Sequence, residues 1–265
     1  MKKFIGLLKI VLVLYTVLCI ALFLFQEKFI FFPEKLEKNH QFHFAQKFEE
    51  LNFETSDGKV LNGLLFKADS TKGLIFYLHG NSGSLNSWGN VAETYTSLNY
   101  DVFILDYRSY GKSEGEISSQ KQLFEDNQLI YNKLKQSYSE KNIVILGYSI
   151  GSGMASKLAS ENKPNQLILQ APYYSLTDLV QQRFAFIPTL ILKYKFETNE
   201  YLKICEMPIT LFHGTRDNVI NYESSVRLKD DFKNKVTLIT LKGQGHNGIT
   251  DNNYYIEELK NILRK

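Results

Sequence analysis

From about residue 48 to the C-terminus, short apolar runs alternate with stretches whose apolar residues recur at helical spacing. Residues 48–54 and 60–67 read as two strands of a hairpin that turns at Ser56-Asp57-Gly58, the Asp-Gly pair being a strong turn signal. Residues 73–78, 101–105, 142–146, 166–169, 209–212 and 236–241 read as further short strands. Helices are predicted over 85–98, 120–135, 150–160 and 253–263, with Leu123, Ile130 and Leu134 on one stripe of the second. This alternation predicts an α/β fold, a mainly parallel sheet covered by helices on both faces.

Two segments depart from the rhythm. Residues 172–207 separate one strand from the next by about 35 positions and have an apolar middle, Phe184-Ala185-Phe186-Ile187-Pro188-Thr189-Leu190-Ile191-Leu192. A structureless loop of that length is unusual in a compact domain, so a small inserted cap of one or two helices is expected. At the N-terminus, residues 10–25 carry no charge, and residues 4–25 are interrupted only by Lys9. About 20 apolar residues cross a bilayer, and Lys9 is near enough to the end to snorkel. The alternative is a cleaved secretory signal, but Ala21-Leu22-Phe23-Leu24-Phe25-Gln26 has no small-x-small pair for a peptidase. The expected organisation is a transmembrane anchor over 1–28, a juxtamembrane aromatic segment over 29–47, and a main domain over 48–265. Lys2 and Lys3 precede the span, whereas Lys28, Lys35 and Lys38 follow it among acidic residues. The positive-inside bias is weak and leans towards an extracytoplasmic main domain.

Composition narrows the classes. The 265 residues are 44% hydrophobic and 22% charged, the profile of a folded protein and not of a disordered or collagen-like chain. A formal charge of +3, spread along the chain, gives no nucleic-acid footprint. Cys19 lies in the apolar run, so no internal disulfide with Cys205 is expected. Cys205 lacks a small-residue elbow and reads as a buried thiol rather than a nucleophile. No CxxC, HExxH or clustered carboxylate set occurs, and neither metal nor cofactor is predicted. Oligomeric state is not legible.

The chemistry gathers at strand ends. Gly147-Tyr148-Ser149-Ile150-Gly151 matches G-x-S-x-G between a predicted strand and a predicted helix, the context that turns a short pattern into a nucleophile elbow. A serine hydroxyl needs a base, and the base an orienting carboxylate. His246 follows the strand over 236–241 in a glycine-rich loop; Asp217 follows the strand over 209–212. The order Ser, Asp, His suits this architecture. Asp178 competes for the carboxylate role but sits in the insertion, off a strand end. His40 and His43 have no catalytic context, while His79 and His213 each precede a glycine and read as backbone braces. The oxyanion needs two N–H donors: Ile150, directly after the serine, and one from His79-Gly80-Asn81-Ser82-Gly83, taken as Asn81 with Ser82 as the alternative. The segment 106–115, Asp106-Tyr107-Arg108-Ser109-Tyr110-Gly111-Lys112-Ser113-Glu114-Gly115, lacks the phosphate-loop spacing and reads as a braced loop in which Asp106 and Arg108 pair.

Taken together, HGN at 79–81, DYRSYGKSEG at 106–115, GYSIGS at 147–152, HGTRD at 213–217 and GQGH at 243–246 resemble the α/β-hydrolase fold family from about residue 48 onward. The anchor followed by FIFFPEKL at 29–36 is similar to a subgroup of single-pass, N-terminally anchored hydrolases, some of whose eukaryotic members are depalmitoylating thioesterases. Ser109 stands where that subgroup usually has glycine, and the cysteine-rich N-terminus of its palmitoylated members is missing. The resemblance implies an acyl hydrolase with a Ser149-His246-Asp217 triad; it carries over no substrate and no depalmitoylase role, and it is the apolar insertion beside a membrane segment that points to a small or lipid-like acyl substrate. An aminopeptidase on the same fold and a non-catalytic scaffold are the competing readings.

Overall fold

The computed structural model describes residues 1–264. It opens with α1 (Lys2–Leu24), apolar on every side and buried at no position. At 23 residues it is about 34 Å long, enough to cross a hydrocarbon core of about 30 Å. The helix breaks at Phe25, and α2 (Gln26–Ile30) and β1 (Phe32–Pro33) follow. The hairpin comes next as β2 (Phe48–Glu54) and β3 (Val60–Phe66), then β4 (Leu74–Leu78), the short β5 (Ser82–Gly83), α3 (Leu85–Trp88), α4 (Ala92–Thr96) and β6 (Asp101–Leu105). The second half runs α5 (Gln120–Leu134), β7 (Ile143–Tyr148), α6 (Gly151–Ser160), β8 (Gln166–Gln170), α7 (Leu176–Arg183), α8 (Thr198–Ile204), β9 (Ile209–Gly214), α9 (Glu223–Asp231), β10 (Val236–Leu241) and α10 (Asn253–Ile262).

Eight strands form one sheet in the order β10-β9-β8-β7-β4-β6-β3-β2. Only the β2–β3 and β3–β6 pairings are antiparallel, so β3 alone is reversed. Successive residues of a strand face opposite sides. Leu74, Phe76 and Leu78 of β4 therefore join a core with α5, α6 and α8, while Ile75 and Tyr77 join a second core with α3, α4 and α10. The central strands are buried throughout, as a sheet covered on both faces requires.

The strands match their predicted places with small differences. β7 runs on to Tyr148, so the turn begins at Ser149 itself. The helix expected over 85–98 is broken by a 3₁₀ turn at Gly89–Val91. There the ring of Phe44 occupies the space a side chain at Gly89 would need. α9 was not anticipated. The insertion holds α7, a 3₁₀ turn at Thr189–Ile191, and α8.

The segment after α2 is strapped to the loop that follows β4, in a small two-stranded sheet of its own. β1 pairs in parallel with β5, Phe32 opposite Ser82 and Pro33 opposite Gly83. Phe32 N–H donates to Asn81 O at 2.8 Å, and Leu36 N–H donates to Gly111 O at 3.0 Å. The segment 106–115 is braced, but not as expected. Arg108 reaches past Asp106 to Asp57 in the hairpin turn (2.7 and 2.8 Å) and Asp126 on α5 (2.7 and 3.0 Å). The carboxylate of Asp106 instead accepts from Leu85 N–H at 3.0 Å. A planar guanidinium with five donors can clamp two carboxylates at once, which ties the hairpin to α5.

Within that loop Ser109 has φ of +70°, the left-handed region that disfavours a side chain. Ser109→Gly removes the steric cost at the expense of unfolded-state entropy. It is expected to raise stability by about 0.5–1 kcal/mol, read as a higher denaturant midpoint at an unchanged slope; a lower midpoint contradicts this.

Candidate active site

Three loops at the C-terminal ends of β7, β9 and β10 carry the site, where an open parallel sheet exposes its loops to ligands. Ser149 turns sharply out of β7 with φ of +53°, and its N–H donates to Gln170 O at 2.9 Å. Strain of this kind persists only where the surroundings over-determine it. The flanking glycines are required by space. A Cβ at Gly147 would lie 2.5 Å from Cβ of Ala155, and one at Gly151 would lie 2.1 Å from the carbonyl oxygen of Leu78. α6 can thus start directly beneath the serine and against β4.

Asp217 leaves β9 and His246 leaves the loop after β10. Arg216 N–H donates to Gln244 O (2.9 Å), and Gly243 N–H donates to Thr215 Oγ1 (2.9 Å), so the two loops are joined to each other. Tyr148, next to the serine, donates its hydroxyl to the carbonyl of His246 at 2.6 Å. The side chains of Asp217, His246 and Ser149 come together. Asp217 Oδ2 lies 2.7 Å from His246 Nδ1, and His246 Nε2 lies 3.0 Å from Ser149 Oγ. Ser149 and His246 are each only 8% exposed.

The Asp217 carboxylate is surrounded by donors. Its Oδ1 accepts the N–H groups of Val219 and Ile220, both at 2.8 Å. Burial opposes its charge, but hydrogen bonds from His213, His246 and Ile220 outweigh burial and hold the carboxyl well below the usual range. An ionised carboxylate accepts only, so His246 Nδ1 carries the proton and its Nε2 lone pair faces the serine hydroxyl.

His213 is more than a backbone brace. Its Nε2 lies 3.2 Å from Asp217 Oδ2 and 3.0 Å from Ile220 O, while Nδ1 lies 2.7 Å from Ser225 Oγ. Two acceptors at Nε2 fix the proton there, and Nδ1 accepts from the serine of α9. Asp217 therefore touches two imidazoles. A histidine at a strand end four residues before the aspartate was the available signal.

Asn81 and Ile150 line the cavity with Ser149, and neither backbone N–H is committed to another backbone group among the described residues. Their carbonyls are anchored instead: Tyr110 donates to Asn81 O at 2.6 Å, and Tyr173 to Ile150 O at 3.1 Å. His79 Nδ1 donates to Gly80 O at 2.6 Å, and Tyr107 donates to His79 O at 3.0 Å. Buried tyrosines thus fix the two N–H-bearing turns from behind. Asp178 is bound to Arg227 at 2.8 Å, outside this arrangement. Burial pushes the Cys205 thiol up to about 12, away from thiolate chemistry. Among the described residues no group of His, Cys, Asp and Glu is disposed to hold a metal ion.

The cavity over Ser149 encloses about 280 Å³. Leu176, Leu179 and Val180 of α7, Phe29 and Ile30 of α2, and Val219 and Ile220 after β9 make its walls apolar. Arg183 alone among the lining residues is charged, and its guanidinium donates to the carbonyls of Asn218 and Val219.

Residues 69–204 match the family model for serine aminopeptidase, S33. An uncharacterised protein of Acanthamoeba polyphaga mimivirus is 27% identical over 259 residues, covering 86% of this chain and 85% of that one. Alpha/beta hydrolase domain-containing protein 17C of Xenopus tropicalis is 28% identical over 225 residues, covering 81% of this chain and 69% of its own. Among solved structures, an esterase of Pyrococcus furiosus superposes with a TM-score of 0.72 at 20% identity, over 89% of this chain and 97% of that one.

The depressed Asp217 carboxyl has a signed consequence for stability. A group whose folded pKa lies below its unfolded value of about 3.9 stabilises the protein above that value and loses the contribution as pH falls through the folded pKa. Asp217→Asn is therefore expected to melt lower than wild type at pH 7, with the gap narrowing as pH drops below about 4. A gap that stays constant down to pH 3 contradicts the assignment.

Proposed function

Because the chain belongs to the serine aminopeptidase S33 family of α/β hydrolases, we propose that it is a membrane-anchored serine hydrolase of carboxylic esters or thioesters, working through Ser149, His246 and Asp217. The observation that carries this reading is an unbroken run of hydrogen bonds, from a charged carboxylate through an imidazole to a serine hydroxyl, ending at an apolar cavity.

In the proposed reaction Ser149 Oγ attacks the acyl carbonyl while His246 Nε2 takes its proton. Asp217 holds the imidazole and balances the cation that forms. The oxyanion takes hydrogen bonds from the N–H groups of Asn81 and Ile150, each worth about 3–4 kcal/mol of barrier. His246 then protonates the departing alcohol or thiol as the carbonyl–leaving-group bond breaks, leaving acyl-Ser149. Water, deprotonated by the same imidazole, attacks the ester; the acid departs and Oγ regains its proton.

Esters and thioesters are preferred over peptides on account of the walls. An aminopeptidase needs a carboxylate to hold a substrate ammonium, and no acidic side chain lines the cavity, whereas Arg183 does. α1 serves as the anchor in this proposal, being 23 residues long, apolar and buried at no position.

A fluorophosphonate probe is expected to label the wild type and not Ser149→Ala. Ser149→Ala and His246→Ala are each expected to lower turnover of a short-chain ester by about 10⁴- to 10⁶-fold with melting temperatures retained. Faster release from an aminoacyl coumarin amide than from the matching ester would instead favour the aminopeptidase reading.

A further inference from the structure

The cavity over Ser149 does not end at its apolar walls. A second cavity of about 130 Å³ abuts it, sharing Phe29, Ile30, Leu176, Val180 and Phe184 as lining residues. From there it runs between α1 and the cap, past Ile187 and Ile191, to Leu22 of the membrane helix. One polar side chain, Gln26, lines it, and both ends of its amide are bonded to the cap: Nε2 donates to Ile191 O at 2.7 Å and Oε1 accepts from Lys193 N–H at 2.9 Å. Apolar surface therefore leads from the serine to a residue near the inner end of a helix suited to hydrocarbon.

The cap is also held at membrane depth. Tyr15 donates to Phe186 O at 2.7 Å, and Tyr15 precedes Leu22 by seven residues, about 10 Å of helix. A bilayer that accommodates α1 must accommodate the cap tip beside it. The tip's outer surface suits that solvent: Phe184 is 47% exposed, Phe186 59% and Leu190 95%. At the other end, Lys193 pairs with Glu27 at 3.0 Å, and Tyr194 donates to Glu27 at 2.9 Å. This polar clamp sits where α1 gives way to α2, at the level expected for headgroups.

We propose that the acyl chain of a bilayer-resident ester or thioester reaches Ser149 sideways, out of the hydrocarbon, through the passage between α1 and the cap, and that the second cavity holds the far part of that chain. The proposal rests on the hydrolase reading above and names its substrate class: a long-chain acyl ester or thioester that stays in the membrane. An acyl chain entering this way never crosses water, so its transfer into the site carries little hydrophobic cost. A short, water-soluble ester has no need of the second cavity.

The test uses the full chain in phosphatidylcholine vesicles, with 4-methylumbelliferyl palmitate as the membrane probe and 4-methylumbelliferyl butyrate as the soluble one. Palmitate ester in the enzyme's own vesicles is expected to be hydrolysed at least about tenfold faster than the same amount in separate vesicles. Ile191→Trp and Ile187→Trp, which fill the second cavity, are each expected to lower the palmitate-to-butyrate rate ratio about tenfold. Equal palmitate rates from the two vesicle arrangements, measured on wild type and so independent of variant folding, would overturn lateral entry. So would ratios unmoved in both tryptophan variants. Failure of the wild type to hydrolyse butyrate would overturn the hydrolase reading, and the passage with it.

Discussion

The Asp217 carboxylate is the point on which the site's geometry turns. It receives His246, His213 and the N–H groups of Val219 and Ile220, so its position and charge are set from four directions. An ionised carboxylate buried this deeply is tolerable only because those donors replace water. Once it is fixed, His246 has one orientation and one tautomer, and its second nitrogen must face Ser149. The serine in turn occupies the only non-glycine left-handed position of its motif, made possible by close approach of α6 at Gly147 and Gly151. Local strain at the serine and order at the aspartate are thus two consequences of one sheet edge.

Much of this was legible along the chain, and the reasons differ by level. Buried parallel strands read as unbroken apolar runs, so their ends were recoverable to within two residues. The serine elbow has a local spacing requirement, and the glycines record it. Asp217 and His246 follow strands in an order that the topology dictates, which is why residues 68 and 97 positions from the serine could be named. Pairings between side chains far apart were not legible. Arg108 was expected to meet its near neighbour Asp106 but joins Asp57 and Asp126, because only folding brings the hairpin turn and α5 to it. The same holds for Tyr148, Tyr110 and Tyr173 behind the turns: an aromatic residue in sequence does not say which carbonyl its hydroxyl will reach.

The N-terminal region shows what such long-range contacts add. By composition it divides into an anchor ending near residue 28 and an aromatic spacer. The structure breaks the helix at Phe25 and binds Gln26 and Glu27 to the cap, so the connection from α1 to the domain is short and polar at its centre. Phe29 and Ile30 then line the cavity over Ser149, and β1 pairs beside Asn81. The segment expected to link anchor and domain contributes to the wall of the site itself.

The most direct measurement of the central claim is rapid acid quenching of the enzyme during turnover of a chromogenic ester, followed by peptide mass spectrometry. The account predicts an added acyl group on the peptide that contains Ser149, accumulating before steady state and discharged when substrate is exhausted. Turnover with that peptide unmodified, or with the acyl group on another side chain such as Cys205, would contradict it.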